Sequence, residues 1–108
     1  MLMESSLPLV TIVVSTLNQA RYLEAALLSV LNQDYPNLEL IVGDCGSIDE
    51  SVAIFQRVQS SDGRLRWFSE KDKSPVGVIN KCVRMVRGTA IGWLSADALY
   101  APGAVLHA

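Results

Sequence analysis

Three polar groups, far apart in the chain, each follow an apolar run. Asp97 closes the climb of AIGWLSADALY (90–100), Asp44 follows LELIVG (38–43), and Ser15, Thr16 and Asn18 follow LVTIVV (9–14). A carboxylate released from a buried strand can hold a hard cation or a polar ligand, because anionic oxygens match small divalent ions. Such sites usually gather several acids, yet Asp97 stands alone among Ser95, Ala96 and Ala98. The two cysteines, Cys45 and Cys82, lack the close Cys or His neighbours that a zinc site needs, and fit reduced thiols in a cytoplasmic protein. Neither G-x-G-x-x-G nor G-x-x-x-x-G-K-[ST] occurs, so the usual dinucleotide and P-loop readings lose their main support.

These groups act together only if the elements between them bring them together. LVTIVVS (9–15) is a short β-branched run, apolar on both faces, as a buried parallel strand should be. Asn18 is placed to cap the next helix, in which Leu23, Ala26, Leu27, Val30 and Leu31 recur at helical spacing. DYPN is a turn, and LELIVG is the second strand. Ser47 or Asp49 caps a second helix using Val52, Phe55 and Val58. Residues 65–68 form a third strand. Residues 76–86 form a third helix burying Ile79, Cys82, Val83 and Val86, and residues 90–94 form a fourth strand.

The alternation of strand and helix predicts an α/β, Rossmann-like fold: a mainly parallel sheet with helices on both faces. Right-handed crossovers put the C-terminal end of every strand on one rim, where open α/β sheets bind ligands. Ser15, Thr16, Asn18, Asp44 and Asp97 should therefore meet there.

The 108 residues suffice for one domain, and a half-hydrophobic, one-fifth-charged composition is globular. A net charge of −2 disfavours a general nucleic-acid binder, and no apolar run reaches the ~20 residues of a membrane span. The N-terminus lacks the basic region of a secretory signal.

Several short motifs, S-T-x-N-Q, Q-D-Y-P-N-L-E-L-I-V, D-x-G-S-x-D-x-S, S-E-x-D-x, I-N-K and G-W-L-x-x-D, occur in an order and spacing that resembles the N-terminal part of glycosyltransferase family 2, which has the GT-A fold. The resemblance covers nearly the whole chain. It implies the donor half of a sugar transferase, binding a nucleotide-diphosphate sugar with Mn2+ or Mg2+. Carried over by position, Ser15, Thr16 and Leu17 border the base, Asp44 contacts the nucleoside, and Asp97 holds the metal. A hard cation would neutralise charge developing on the diphosphate leaving group.

The departures are specific. Ser95 and Ala98 replace polar or acidic residues common beside Asp97, Leu17 replaces a common aromatic, Gly77 a common Asp, and Cys45 a common Gly or Asp. A site thinned in this way should lose about 10 to 100-fold in metal affinity, by analogy with the ligands that support a metal's own. Family enzymes continue with a stretch carrying the acceptor site and, in inverting members, the catalytic base. The 108 residues are thus expected to be one domain shortened at its C-terminus, inactive alone, with no nameable base. Its fourth strand should have an open edge that favours self-association.

Blander roles compete with these. Asp44 could simply bond backbone N–H groups in a turn, Asp49 is better read as a helix cap, and Cys45 as an inert small residue. Lys81, Arg84 and Arg87 are expected to face water. A degenerate binding module is the alternative to the transferase half. A receiver-like signalling domain fails, because STLN and FSE stand where its acids belong.

Overall fold

The computed structural model describes residues 8–33, 35, 37–71, 74–88 and 90–95. The strands β1 (Val10–Thr16), β2 (Leu38–Asp44), β3 (Leu65–Ser69) and β4 (Ala90–Ser95) alternate with the helices α1 (Ala20–Leu31), α2 (Ser51–Ser61) and α3 (Pro75–Met85). All strand pairs are parallel and the sheet order is β3-β2-β1-β4. The chain builds outward from β1 to β3, then crosses back to place β4 on the other side of β1. That reversal makes the β1/β4 boundary a topological switch point, and a crevice opens outside the strand ends there in such sheets.

The helices divide between the faces. Ile12 and Val14 of β1, with Leu40 and Val42 of β2, pack under Leu23, Leu27 and Val30 of α1 and Phe55 and Val58 of α2. On the other face Val13 and Ile41 meet Val78 and Cys82 of α3. The buried set of α1 is the predicted one: Leu23, Ala26, Leu27, Val30 and Leu31. In α2, Ile54 joins Phe55 and Val58, while Val52 is only partly buried.

The third helix corrects the expectation. Val78 and Cys82 are its buried residues, whereas Val83 is 43% exposed and Ile79 and Val86 are only partly buried. The reason lies on β2. A Cβ on Gly43 would sit 2.3 Å from Val78 Cγ1 and 2.8 Å from Cys82 Sγ, so the missing side chain is the slot that receives the helix. Packing this close fixes the helix's rotation. Ser74 caps α3 by accepting from Gly77 N at 3.1 Å, with Pro75 at the first position.

At the opposite end of the sheet, the nearly buried Glu39 accepts from Arg66 Nη2 at 3.0 Å and from Arg87 N at 3.2 Å. Arg66 also donates to the Met85 carbonyl, so one ionic cluster ties β2, β3 and the segment leaving α3. Among the described residues no helix is long and apolar enough to cross a membrane.

Candidate functional site

The C-terminal strand ends form one row. Thr16 pairs with Asp44, Asp44 with Ser69, and Ser15 with Gly43 and Ser95. Side chains alternate along a strand, so Thr16 shares a face with Val14, beneath α1 and α2. Ser15 shares a face with Val13, toward α3. Ser15, Thr16, Leu17 and Asp44 therefore come together at one rim, but on both sides of the sheet. Leu17 is 49% exposed beyond the strand end, and Asp44 is fully buried.

The sequence admits both a ligand contact and a turn role for Asp44, and the turn bonds are present in the structure. Its Oδ2 accepts from Gly46 N at 3.0 Å, Ser47 N at 2.7 Å and Ser69 Oγ at 2.7 Å, and its Oδ1 accepts from Ser47 Oγ. A carboxylate has about four acceptor positions, and these four bonds match that number, three of them on Oδ2. Gly46 permits the tight turn: its φ is +96°, and a Cβ there would lie 2.7 Å from Lys71 Cα.

Two loops that leave the rim are tied to each other. Asn18, at φ 51°, donates its N–H to Ser47 Oγ at 2.8 Å and accepts from Ile48 N at 2.9 Å through Oδ1. Asn18 is thus not the cap of α1; position 19 holds the cap geometry without a side-chain bond. The capping oxygen comes from 29 residues away, where Asp49 Oδ2 accepts from Ala20 N at 3.1 Å. The other oxygen of Asp49 accepts from Ser51 N at 2.9 Å and Ser51 Oγ at 2.6 Å. One carboxylate holds the starts of both α1 and α2, where exposed N–H groups favour negative charge. The Ser51 hydroxyl, followed by the backbone N–H groups of Ser51 and Ala20, holds the Asp49 carboxyl below the usual carboxylate range.

Against this satisfied background two atoms stand out. Among the described residues, Thr16 Oγ1 and Gln19 Oε1 are buried and have no hydrogen-bond partner. Both belong to the β1–α1 connection at the rim. An unpaired buried hydroxyl or amide oxygen is costly, and its usual explanation is a water or ligand that completes it.

The remaining candidates divide. Cys45 is nearly buried, and burial with the neighbouring Asp44 charge pushes its thiol pKa up, which fits an inert role. Lys81 departs from expectation: it is only partly exposed, pairs with Glu70 and lies 4.5 Å from the Phe68 ring centre, whereas Arg84 and Arg87 are exposed as expected. Asp97, Ala98 and the segment after them lie outside the described residues. Among the described residues no group of three or more His, Cys, Asp or Glu could hold a metal ion, and Asp44 is already engaged, so a metal expectation rests on Asp97. Ser69 and Gln19 are visible in the sequence only as positions of the S-E-x-D-x and S-T-x-N-Q motifs, with no role of their own. Ser69 belongs to the site only through the β2–β3 register, which spacing along the chain does not reveal.

Known proteins resemble this chain in sequence and fold. The family model described as Glycosyl transferase family 2 matches residues 11–107. The chain is 36% identical to chondroitin synthase of Escherichia coli over 98 residues, covering 91% of this chain and 14% of the relative. It is 31% identical to GalNAc(5)-diNAcBac-PP-undecaprenol beta-1,3-glucosyltransferase of Campylobacter jejuni, covering 84% of this chain and 30% of that one. Among solved structures it superposes on mannosyltransferase PcManGT of Pyrobaculum calidifontis, in complex with GDP-Man and Mn2+, with a TM-score of 0.84 and 28% identity, over 95% of this chain and 31% of that one. The chain spans a third or less of each of these relatives.

Proposed function

As the chain belongs to glycosyl transferase family 2, we propose that its rim binds a nucleotide-diphosphate sugar and forms the donor half of a sugar transferase. The observation that carries this reading is the buried, unpartnered Thr16 hydroxyl beside Asp44 at the switch-point rim. It supplies a donor and acceptor in a place where the described residues give it nothing to bond. Thr16 would take a polar group of the nucleoside, Asp44 would contact the nucleoside by exchanging one of its present bonds for it, and Ser15 and the exposed Leu17 would border the base. PcManGT holds a nucleotide sugar and Mn2+ on the same fold, which supports the reading.

In this proposal Asp97 anchors Mn2+ or Mg2+, with phosphate oxygens and water as further ligands. The cation, when bound, neutralises charge on the diphosphate leaving group. The described residues contribute by holding the nucleoside and by keeping the two rim loops fixed to each other before the donor arrives. Pre-positioned groups lose less on binding than groups that must be ordered.

Titration calorimetry with nucleoside diphosphates, with and without Mn2+, tests the reading. Binding strengthened by Mn2+ is expected. Thr16→Val, nearly isosteric, should weaken binding about tenfold, the worth of one buried hydrogen bond. Asp97→Asn should abolish the metal effect but spare metal-free binding. Absence of nucleotide binding would leave the degenerate binding module as the better account.

A further inference from the structure

We propose that the outer face of α3 is a docking surface for an anionic phospholipid membrane. Five of the nine basic residues, but only one of the eleven acids, fall between positions 71 and 87, in a chain whose net charge is −2. With about 100° per residue, Val78 and Cys82 face the sheet. Val76, Asn80, Val83 and Arg84 then fall on the opposite side, and Arg87 follows just past the end of the helix.

The observed exposure agrees with this phase. Val76 is 67% and Val83 43% exposed, and Asn80, Arg84 and Arg87 are exposed as well. Two exposed valines one heptad apart, with Arg84 beside the second and Arg87 just beyond the helix, make an apolar and cationic surface. The solvent face of a helix is typically charged or polar.

A lipid membrane suits both halves of that surface. Interfacial helices place apolar side chains at the acyl boundary and basic ones at the phosphates. A soluble polyanion would use the arginines and leave the valines in water. Between the two ends, a shallow cleft of about 590 Å³ is lined by Glu70, Gly77, Asn80, Lys81, Arg84 and Met85. It has room for a phosphate headgroup beside Arg84 and Asn80. Glu70 does not oppose this, because it is paired with Lys81. The opposite layer is unsuited: the solvent side of α1 and α2 mixes Arg21 and Arg57 with Glu24, Glu50 and Asp62. The inference is independent of the nucleotide reading, which concerns the strand ends.

Vesicle co-sedimentation of the 108-residue chain tests it. Binding to phosphatidylglycerol-rich vesicles and little to pure phosphatidylcholine is expected, weakening as salt rises. Each cation near an anionic surface is worth about a fivefold gain in partitioning, so Arg84→Glu with Arg87→Glu should lower it by more than about twenty-five fold. Val76→Ser with Val83→Ser should lower it several-fold at unchanged charge. These side chains leave the core intact, so circular dichroism should not change. Arg21→Glu, on α1, should leave binding within about twofold. Equal binding to neutral vesicles, indifference to the α3 variants, or an equal loss from Arg21→Glu would overturn the proposal. So would an α3 face that mediates only protein–protein contact.

Discussion

Asp49 bonds the first N–H of α1 and both the N–H and hydroxyl of Ser51. Its removal should loosen two helix starts at once. Asp49→Asn keeps the shape but places N–H groups against N–H groups, and should cost about 1 kcal/mol, as lost caps do. The sign with pH follows from the lowered carboxyl. A carboxylate whose folded pKa lies below its unfolded value stabilises above the unfolded value, and that contribution is lost as pH falls through the folded one. Urea unfolding of both proteins should therefore show the full difference at neutral pH, shrinking below about pH 4. A difference that persists undiminished at pH 2 would contradict the cap. The cysteines give a second measurement. Burial pushes Cys82 up to about 11 and raises Cys45 as well, and Cys82 is fully buried. A thiol-specific disulfide reagent at neutral pH should modify the native chain at least about a hundredfold more slowly than the unfolded one.

Strands and helices carry different amounts of information about themselves. The β-branched runs and the α1 stripe marked their elements to within a residue or two, because burial on one stripe or both faces leaves a local pattern. The rotation of α3 left none. Its sequence is apolar nearly all round, with Val76, Val78, Ile79, Cys82, Val83 and Met85, so periodicity alone admits more than one buried face. The choice is made by Gly43, 35 residues earlier than Val78 and on another element. The capping of α1 by Asp49 is hidden for the same reason: the partner is distant in sequence and Asn18 stood in the local position. The row Thr16–Asp44–Ser69 likewise needs strand register, while the separate polar strand ends could be picked out individually. The Gly43 contact is testable by a cycle. Gly43→Ala should destabilise by about 1 to 3 kcal/mol through overpacking. Adding Val78→Ala should return part of that loss, although Val78→Ala alone destabilises by leaving space. Strict additivity of the two would mean that the slot does not set the helix's rotation.

The sheet order places β1 and β2 inside and leaves β3 and β4 each with one described neighbour. The two borders differ in character. β3 is five residues long and carries Arg66, whose guanidinium is tied to Glu39 and the Met85 carbonyl. Short length and charge both discourage pairing with another chain. β4, AIGWLS, has no charged residue in its six positions. An uncharged border strand offers N–H and C=O groups to any strand that can align with it. The 108-residue chain is therefore expected to associate with itself through β4, and its sedimentation coefficient should rise with concentration. The α3 face is the rival explanation for any such dimer, because it too is exposed and partly apolar. Arg84→Glu with Arg87→Glu separates the two: association through β4 should survive that change, while association through α3 should alter. A chain that stays monomeric across the accessible concentration range would mean that β4's border is covered, and would remove the argument from its composition.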